Sequence, residues 1–140
     1  MALQAQKRRE LVFQALFALE FQEKFLEKEV LSLLMKEHKV SKRNVEEIIR
    51  EAKEIFIKKE ELDKKIREVS HSFDITRINV VEKTILRLSL WELLFQQVIP
   101  EEIVISEAKR IAKKFATEDA ARFVHGIIDA LYKEWQGKEG

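Results

Sequence analysis

Hydrophobic residues recur every three to four positions along most of the chain, which is the spacing of one face of an α-helix. We predict helices at about residues 7–21, 26–37, 44–59, 62–69, 80–96, 100–115 and 117–133. The polar stretch 70–79 is the clearest interruption of this helical pattern. Segment 80–96 is apolar on nearly all sides, so we expect its helix to be buried on most faces.

Three of these helices carry start signals. Asn44 can cap the third helix, and Glu47 three residues later completes a capping box. Pro100 suits the first turn of the next-to-last helix, where its missing N–H leaves no hydrogen bond unmade. We expect Thr117 to cap the last helix, with acids at positions 118 and 119 interacting favourably with the helix dipole.

Composition indicates a compact all-α domain. The chain has 140 residues, with three glycines, one proline and no cysteine. So few glycines exclude a phosphate-cradling loop and most all-β folds, and the lack of cysteine excludes disulfides and Cys-based zinc sites. No apolar run approaches the roughly 20 residues of a membrane span, and we find no secretory signal. We therefore expect a cytoplasmic protein with no membrane association.

A search for catalytic chemistry finds no convincing constellation. The histidines, His38, His71 and His125, lie far apart in the sequence. Glu68 and His71 have the spacing of half a di-iron motif, but such sites need that motif twice. No nucleophile turn of the Gly-x-Ser-x-Gly type occurs. We predict that the protein is not an enzyme and holds no metal or cofactor.

Two basic clusters are the candidate binding features. Residues 7–9 open the first helix, and residues 109, 110, 113 and 114 lie on the outer face of the Pro100 helix. The net charge is only +1, so nucleic-acid binding must come from such local patches. Lys114 precedes Phe115, and cations beside aromatic rings suit single-stranded RNA. The pattern also fits core phenylalanines beside a solvated face, and charge alone favours that interpretation.

Several motifs, in the right order, resemble the NusB family of bacterial transcription antitermination factors. The most specific are VEKTILRLSLWELLF at 81–95 and IPEEIVISEA at 99–108, which continues to AKKF at 112–115. TED at 117–119, RFVHG at 122–126 and the arginines at 8 and 9 complete the pattern. The likeness spans nearly the whole chain and is specific over about residues 80–130.

The resemblance implies a fold and a function. It implies an all-α domain of about seven helices in two small bundles, roughly 1–71 and 72–135, with 136–140 as a flexible tail. It also implies binding of the single-stranded boxA element of ribosomal RNA leaders together with NusE, a small-subunit ribosomal protein. The complex then joins RNA polymerase and other Nus factors, suppresses termination and assists ribosomal RNA maturation.

The resemblance further assigns expected contact residues by position. Those expected at the RNA are Lys7, Arg8, Arg9, Lys113, Lys114, Phe115, Arg122 and Phe123. Those expected at the partner protein are Glu82, Trp91 and Asp119. Core packing is an equal alternative for Trp91 and Phe123.

The chain departs from the family pattern at three positions. Ser106 and His125 stand where the family usually has Asn, and Ala116 stands where it usually has Gly. Two other functions stay open: a helical protein–protein adaptor without an RNA role, and an RNA-binding domain detached from a ribosomal RNA methyltransferase. A homodimer also stays open, since some family members hide their RNA surface in one.

Overall fold

The computed structural model describes residues 3–21, 27–69 and 78–139, and within these ranges the chain forms helices and no strands. The helices are α1 (Ala5–Phe21), α2 (Glu27–His38), α3 (Lys42–Ile57), α4 (Lys59–Val69), α5 (Val80–Leu90), α6 (Glu101–Phe115) and α7 (Glu118–Glu139). The all-α class with about seven helices is confirmed for this part of the chain. His71 and most of the break predicted at 70–79 lie outside the described residues.

The first of two compact units comprises residues 1–57 and contains α1, α2 and α3. Helices α1 and α2 both pack against α3. The apolar stripe of α3 is fully buried, because its branched side chains at Val45, Ile48 and Ile49 recur on one helix face. Leu11 and Leu16 of α1 are equally inaccessible to solvent, so these two helices supply most of the unit's core.

The start of α3 differs from the sequence prediction. The hydroxyl oxygen of Ser41 accepts a hydrogen bond from the backbone N–H of Asn44 at 3.2 Å. Ser41 is therefore the cap, and Asn44 occupies the third position of the helix. The prediction that Asn44 caps α3 is wrong by three residues, because Ser41 offers an equally good acceptor one turn earlier.

The second unit comprises residues 58–140, so the division falls earlier than the boundary expected near residue 71. Helix α4 packs against α5 and α7, which explains its place in this unit. Arg87 of α5 donates two hydrogen bonds to the Asp63 carboxylate of α4, from Nε at 2.8 Å and from Nη2 at 2.7 Å. Leu62 and Ile66 of α4 are fully buried.

Helix α5 changes geometry where the sequence predicted one continuous helix to residue 96. After Leu90 the chain forms a π-helical turn, Trp91–Gln96. Gln97 ends it in the left-handed conformation, with a φ of 56°, and its side-chain amide donates to the Leu94 carbonyl at 3.0 Å. Such turns widen a helix by one residue and are frequent at functional sites.

Helices α6 and α7 pack closely and carry most of the residues expected at the RNA. Pro100 immediately precedes α6 in an extended conformation, instead of lying in the first turn. Thr117 caps α7 as predicted, because its hydroxyl accepts the Ala120 backbone N–H at 3.0 Å. Helix α7 continues to Glu139, through most of the segment expected to be a flexible tail. None of the described helices combines the length and apolar character that crossing a membrane requires.

Candidate functional site

The basic cluster at the start of α1 is held by the other helices of the first unit. The Lys7 ammonium donates to Nδ1 of His38, the last residue of α2, at 3.0 Å. Arg8 donates from Nη2 to the Glu51 carboxylate at 2.7 Å, and Glu47 lies 3.9 Å from its Nη1. The Arg8 side chain keeps 36% of its surface exposed, so a phosphate can still reach it in competition with these carboxylates.

Arg9 has a different environment from Arg8. It is only 9% exposed, and it is engaged with other groups of the protein. A buried guanidinium must be paired, because desolvating an unpaired charge is costly. Burial leaves Arg9 little surface that an RNA phosphate could contact.

The structure adds Arg43 to this cluster, a residue that the sequence analysis did not single out. Glu47 lies between two guanidinium groups, 3.9 Å from Arg8 and 3.7 Å from Arg43. The Arg43 side chain is 90% exposed, so this ion pair is weak and the guanidinium remains available. The signal in the sequence is the pair of adjacent cations Lys42 and Arg43.

In the second unit, the end of α6 combines accessible cations with an aromatic ring. Lys113 and Lys114 are both exposed in the last turn of the helix. The Lys114 ammonium lies over the Phe115 ring, 5.6 Å from its centre. Phe115 is half-buried, so the ring packs on the protein with part of its surface in solvent. Phe115 is therefore compatible with both roles that the sequence left open, packing in the core and stacking on RNA.

The first turns of α7 carry the remaining residues expected at the RNA. The Arg122 guanidinium donates to the Asp119 carboxylate one turn earlier, and both side chains are mostly exposed, at 70% and 86%. Phe123 is half-buried. The Asp119 charge partly neutralises Arg122, so the net positive charge of this turn is smaller than the arginine alone would give.

Two residues expected at the partner protein have clear structural roles. The Asn79 side chain accepts the Glu82 backbone N–H at 2.9 Å and donates to the Glu82 carboxylate, which closes the start of α5. Burial raises the pKa of Glu82 above its ordinary 4.5, against the opposing effect of this Asn79 hydrogen bond. Trp91 is 9% exposed and stacks on Phe95 with ring centres 5.3 Å apart.

Trp91 also carries an unsatisfied donor. Its indole Nε1 is buried and has no hydrogen-bond partner among the described residues. The Lys58 ammonium lies over the Phe95 ring of this stacked pair, 5.0 Å from the ring centre. An unmade hydrogen bond of this kind costs about 1–3 kcal/mol. Trp91 is therefore a packed residue that retains one buried donor without a partner in the described part of the chain.

Two of the departures from the family pattern lie on one surface. Ser106 of α6 and His125 of α7 both line an open groove between these helices. Ala116 follows α6 with a φ of −139°, which lies outside the left-handed region that favours glycine. Within the described ranges, no group of three or more His, Cys, Asp or Glu side chains is arranged to hold a metal ion.

Curated proteins with related sequences share one description. The chain is 33% identical over 135 residues to the transcription antitermination protein NusB of Pseudothermotoga lettingae, covering 95% of this chain and 94% of that protein. It is 31% identical over 141 residues to the protein of the same name from Thermodesulfovibrio yellowstonii, covering 94% and 93%.

Solved structures show the same likeness. Thermotoga maritima NusB superposes with a TM-score of 0.81 at 34% identity, covering 96% of this chain and 94% of that one. The antitermination factors NusB and NusE in complex with double-stranded RNA provide a match at a TM-score of 0.77 and 25% identity, over 92% of this chain and 96% of that one. The NusB family model matches residues 6–133. With this match over most of its length and with relatives above 30% identity, the chain belongs to the NusB family.

Proposed function

We propose that this protein is a cytoplasmic transcription antitermination factor that acts by binding and not by catalysis. It binds boxA-type single-stranded RNA of ribosomal RNA leaders together with NusE. The complex joins RNA polymerase and other Nus factors, suppresses termination and supports ribosomal RNA maturation. Family membership supports this role, as does the structural relative that contains NusB, NusE and RNA.

Exposed cations lie beside half-buried rings in the second unit, and this arrangement is the main structural support for RNA binding. Lys113, Lys114 and Phe115 end α6, and Arg122 and Phe123 lie at the start of α7. Lysine and arginine take the phosphates of a single strand, and a ring with one free edge or face can stack a base. In the first unit, Lys7 and Arg8 add phosphate contacts, whereas Arg9 is buried.

For the NusE contact we propose Asp119, Trp91 and Glu82. Asp119 is accessible and sets the charge beside Arg122. Trp91 offers the unsatisfied indole donor. Glu82 is a partly buried carboxylate at the start of α5, and a partner cation there would lower its raised pKa.

A binding titration at fixed salt tests the proposal. Three labelled RNAs are compared: a single-stranded boxA sequence, a scrambled strand of the same composition, and a duplex of boxA with its complement. We expect weak, sequence-indifferent binding by the chain alone, because its net charge is +1. NusE should tighten binding and add a preference for single-stranded boxA. Equal affinity for all three RNAs with NusE present would overturn the proposal.

A further inference from the structure

The groove between α6 and α7 offers polar groups that the RNA contacts above leave unused. It encloses about 600 Å³ and is open to solvent. Ser106, Lys109 and Lys113 line it from α6, and His125 lines it from α7. Of these four, only Lys113 belongs to the RNA contacts already proposed.

These four side chains have no partner among the residues that the structure describes. None of them makes an ion pair or a side-chain hydrogen bond with any residue that the structure describes. The neighbouring charges of the groove are engaged instead. Asp129 accepts from Lys133 at 3.0 Å, and Arg110 donates from Nε to Glu107 at 2.6 Å. Positive and neutral donors are therefore the groups left available on this part of the surface.

Charge changes sign along the groove. Glu101 and Glu102 lie in the first turn of α6, where the helix dipole stabilises carboxylates. Lys109 follows about two turns later, some 12 Å along the axis at about 1.5 Å per residue, and Lys113 follows one turn after that. An anion is thus attracted to the Lys109–Lys113 half and repelled from the Glu101–Glu102 half.

We propose that the basic half of this groove, formed by Ser106, Lys109, Lys113 and His125, binds a nucleotide flanking the boxA element in the same RNA strand. The lysines contact its phosphate, and the His125 ring provides a surface on which its base stacks. The Ser106 hydroxyl can donate to a base edge or to the 2′-hydroxyl. The acids of the first turn end the path by repelling the next phosphate. This inference rests on the proposed function, because it extends the same RNA.

The test compares RNA length between the wild type and a groove variant. The RNAs are the boxA core alone and the core extended by several nucleotides on its 5′ or its 3′ side. The variant combines Ser106→Ala, Lys109→Gln and His125→Ala and leaves Lys113 intact. The control is Lys64→Gln, which removes one positive charge from an exposed site on α4 outside the groove. All titrations contain saturating NusE, and thermal unfolding confirms that each variant is folded.

We expect one of the two extensions to tighten wild-type binding about tenfold, the size of a stacked base with its phosphate contact. The groove variant should bind the core RNA as the wild type does and lose most of that gain, whereas Lys64→Gln should keep it. An extension that adds nothing to wild-type binding, or a gain that survives in the groove variant, overturns the groove site. Failure of the wild type to bind the boxA core more tightly than a scrambled strand of the same composition would instead overturn the proposed function.

Discussion

Adjacent arginines at the start of α1 occupy environments that assign them different tasks. Arg8 is partly exposed and shared between Glu47 and Glu51, whereas Arg9 is buried. A surface guanidinium can exchange a carboxylate for a phosphate at little cost. A buried one cannot leave its partners without exposing them unpaired to an apolar interior.

We therefore expect the two alanine variants to separate binding from stability. Arg9→Ala should lower the free energy of unfolding by about 1–3 kcal/mol, because Arg9 is buried and the groups that it engages lose their partner. Arg8→Ala should instead lower the salt dependence of RNA binding by roughly 0.7 in the slope of log K against log salt, the value for one single-strand phosphate. Denaturant unfolding and salt-dependent titrations measure the two effects. A loss of salt slope in a folded Arg9→Ala variant would contradict this division.

Phe115 has a ring that packs on the protein and stays partly in solvent, so its two roles need different substitutions. Phe115→Leu keeps an apolar side chain for packing and removes the flat ring. We expect it to weaken RNA binding by about 1–3 kcal/mol, the loss of one stacked base. Its free energy of unfolding should change by less than about 1.5 kcal/mol, as for other volume-similar apolar exchanges. Normal RNA affinity in this variant would place Phe115 in the core alone.

At the scale of the helix, the first turn of α7 combines a cap with a charge pair. Asp119→Asn removes a dipole interaction and should cost only about 0.3–1 kcal/mol of stability. It also frees Arg122 from its ion pair, so we expect tighter binding of the RNA with NusE. Glu118→Gln is the control, because it removes a charge from the same exposed turn but not from the pair with Arg122. Binding of the RNA with NusE is measured by calorimetry. Equal effects of the two variants would mean that Asp119 contributes only to the start of α7.

The first turn of α5 makes stability depend on pH through Glu82. Burial raises the pKa of this carboxyl in the folded state, so folding favours its protonated form. The contribution of Glu82 to stability is therefore present below pH 4.5, the ordinary Glu value, and is lost as pH rises through the folded pKa.

Glu82→Gln should accordingly raise the free energy of unfolding at neutral pH, with a benefit that shrinks in acid. Glutamine keeps an acceptor for the Asn79 amide and carries no charge to desolvate. Denaturant unfolding of both proteins from about pH 4 to about pH 8 measures the difference. A variant that is less stable than the wild type at neutral pH would show that the ionised carboxylate stabilises the helix start.

Across the whole molecule, the helices were predictable from sequence, whereas a change of geometry within one of them was not. The stripe at Val45, Ile48 and Ile49 repeats with the period of a helix, and Thr117 was an unambiguous cap. In contrast, an all-apolar run carries no periodicity that would reveal the π-helical turn at Trp91.

The candidate site was also only partly predictable from the sequence. Adjacent arginines look alike in a sequence, and the burial of Arg9 depends on packing that only the fold supplies. Arg43 entered the basic cluster because α3 brings it to the carboxylate that Arg8 also approaches. Likewise, Asp63 and Arg87 lie far apart in the chain, so the ion pair by which α4 contacts α5 cannot be predicted from the sequence.

In the proposed complex, exposed cations of the second unit hold RNA phosphates, and the salt dependence of binding measures these contacts. The comparison is between wild type, the Lys113→Gln/Lys114→Gln double variant and Lys64→Gln, each titrated with boxA RNA and NusE over a range of salt. We predict that the slope of log K against log salt falls by about 1.4 in the double variant, from two lost single-strand phosphate contacts, and stays unchanged in Lys64→Gln. Equal slopes for all three proteins would contradict the claim.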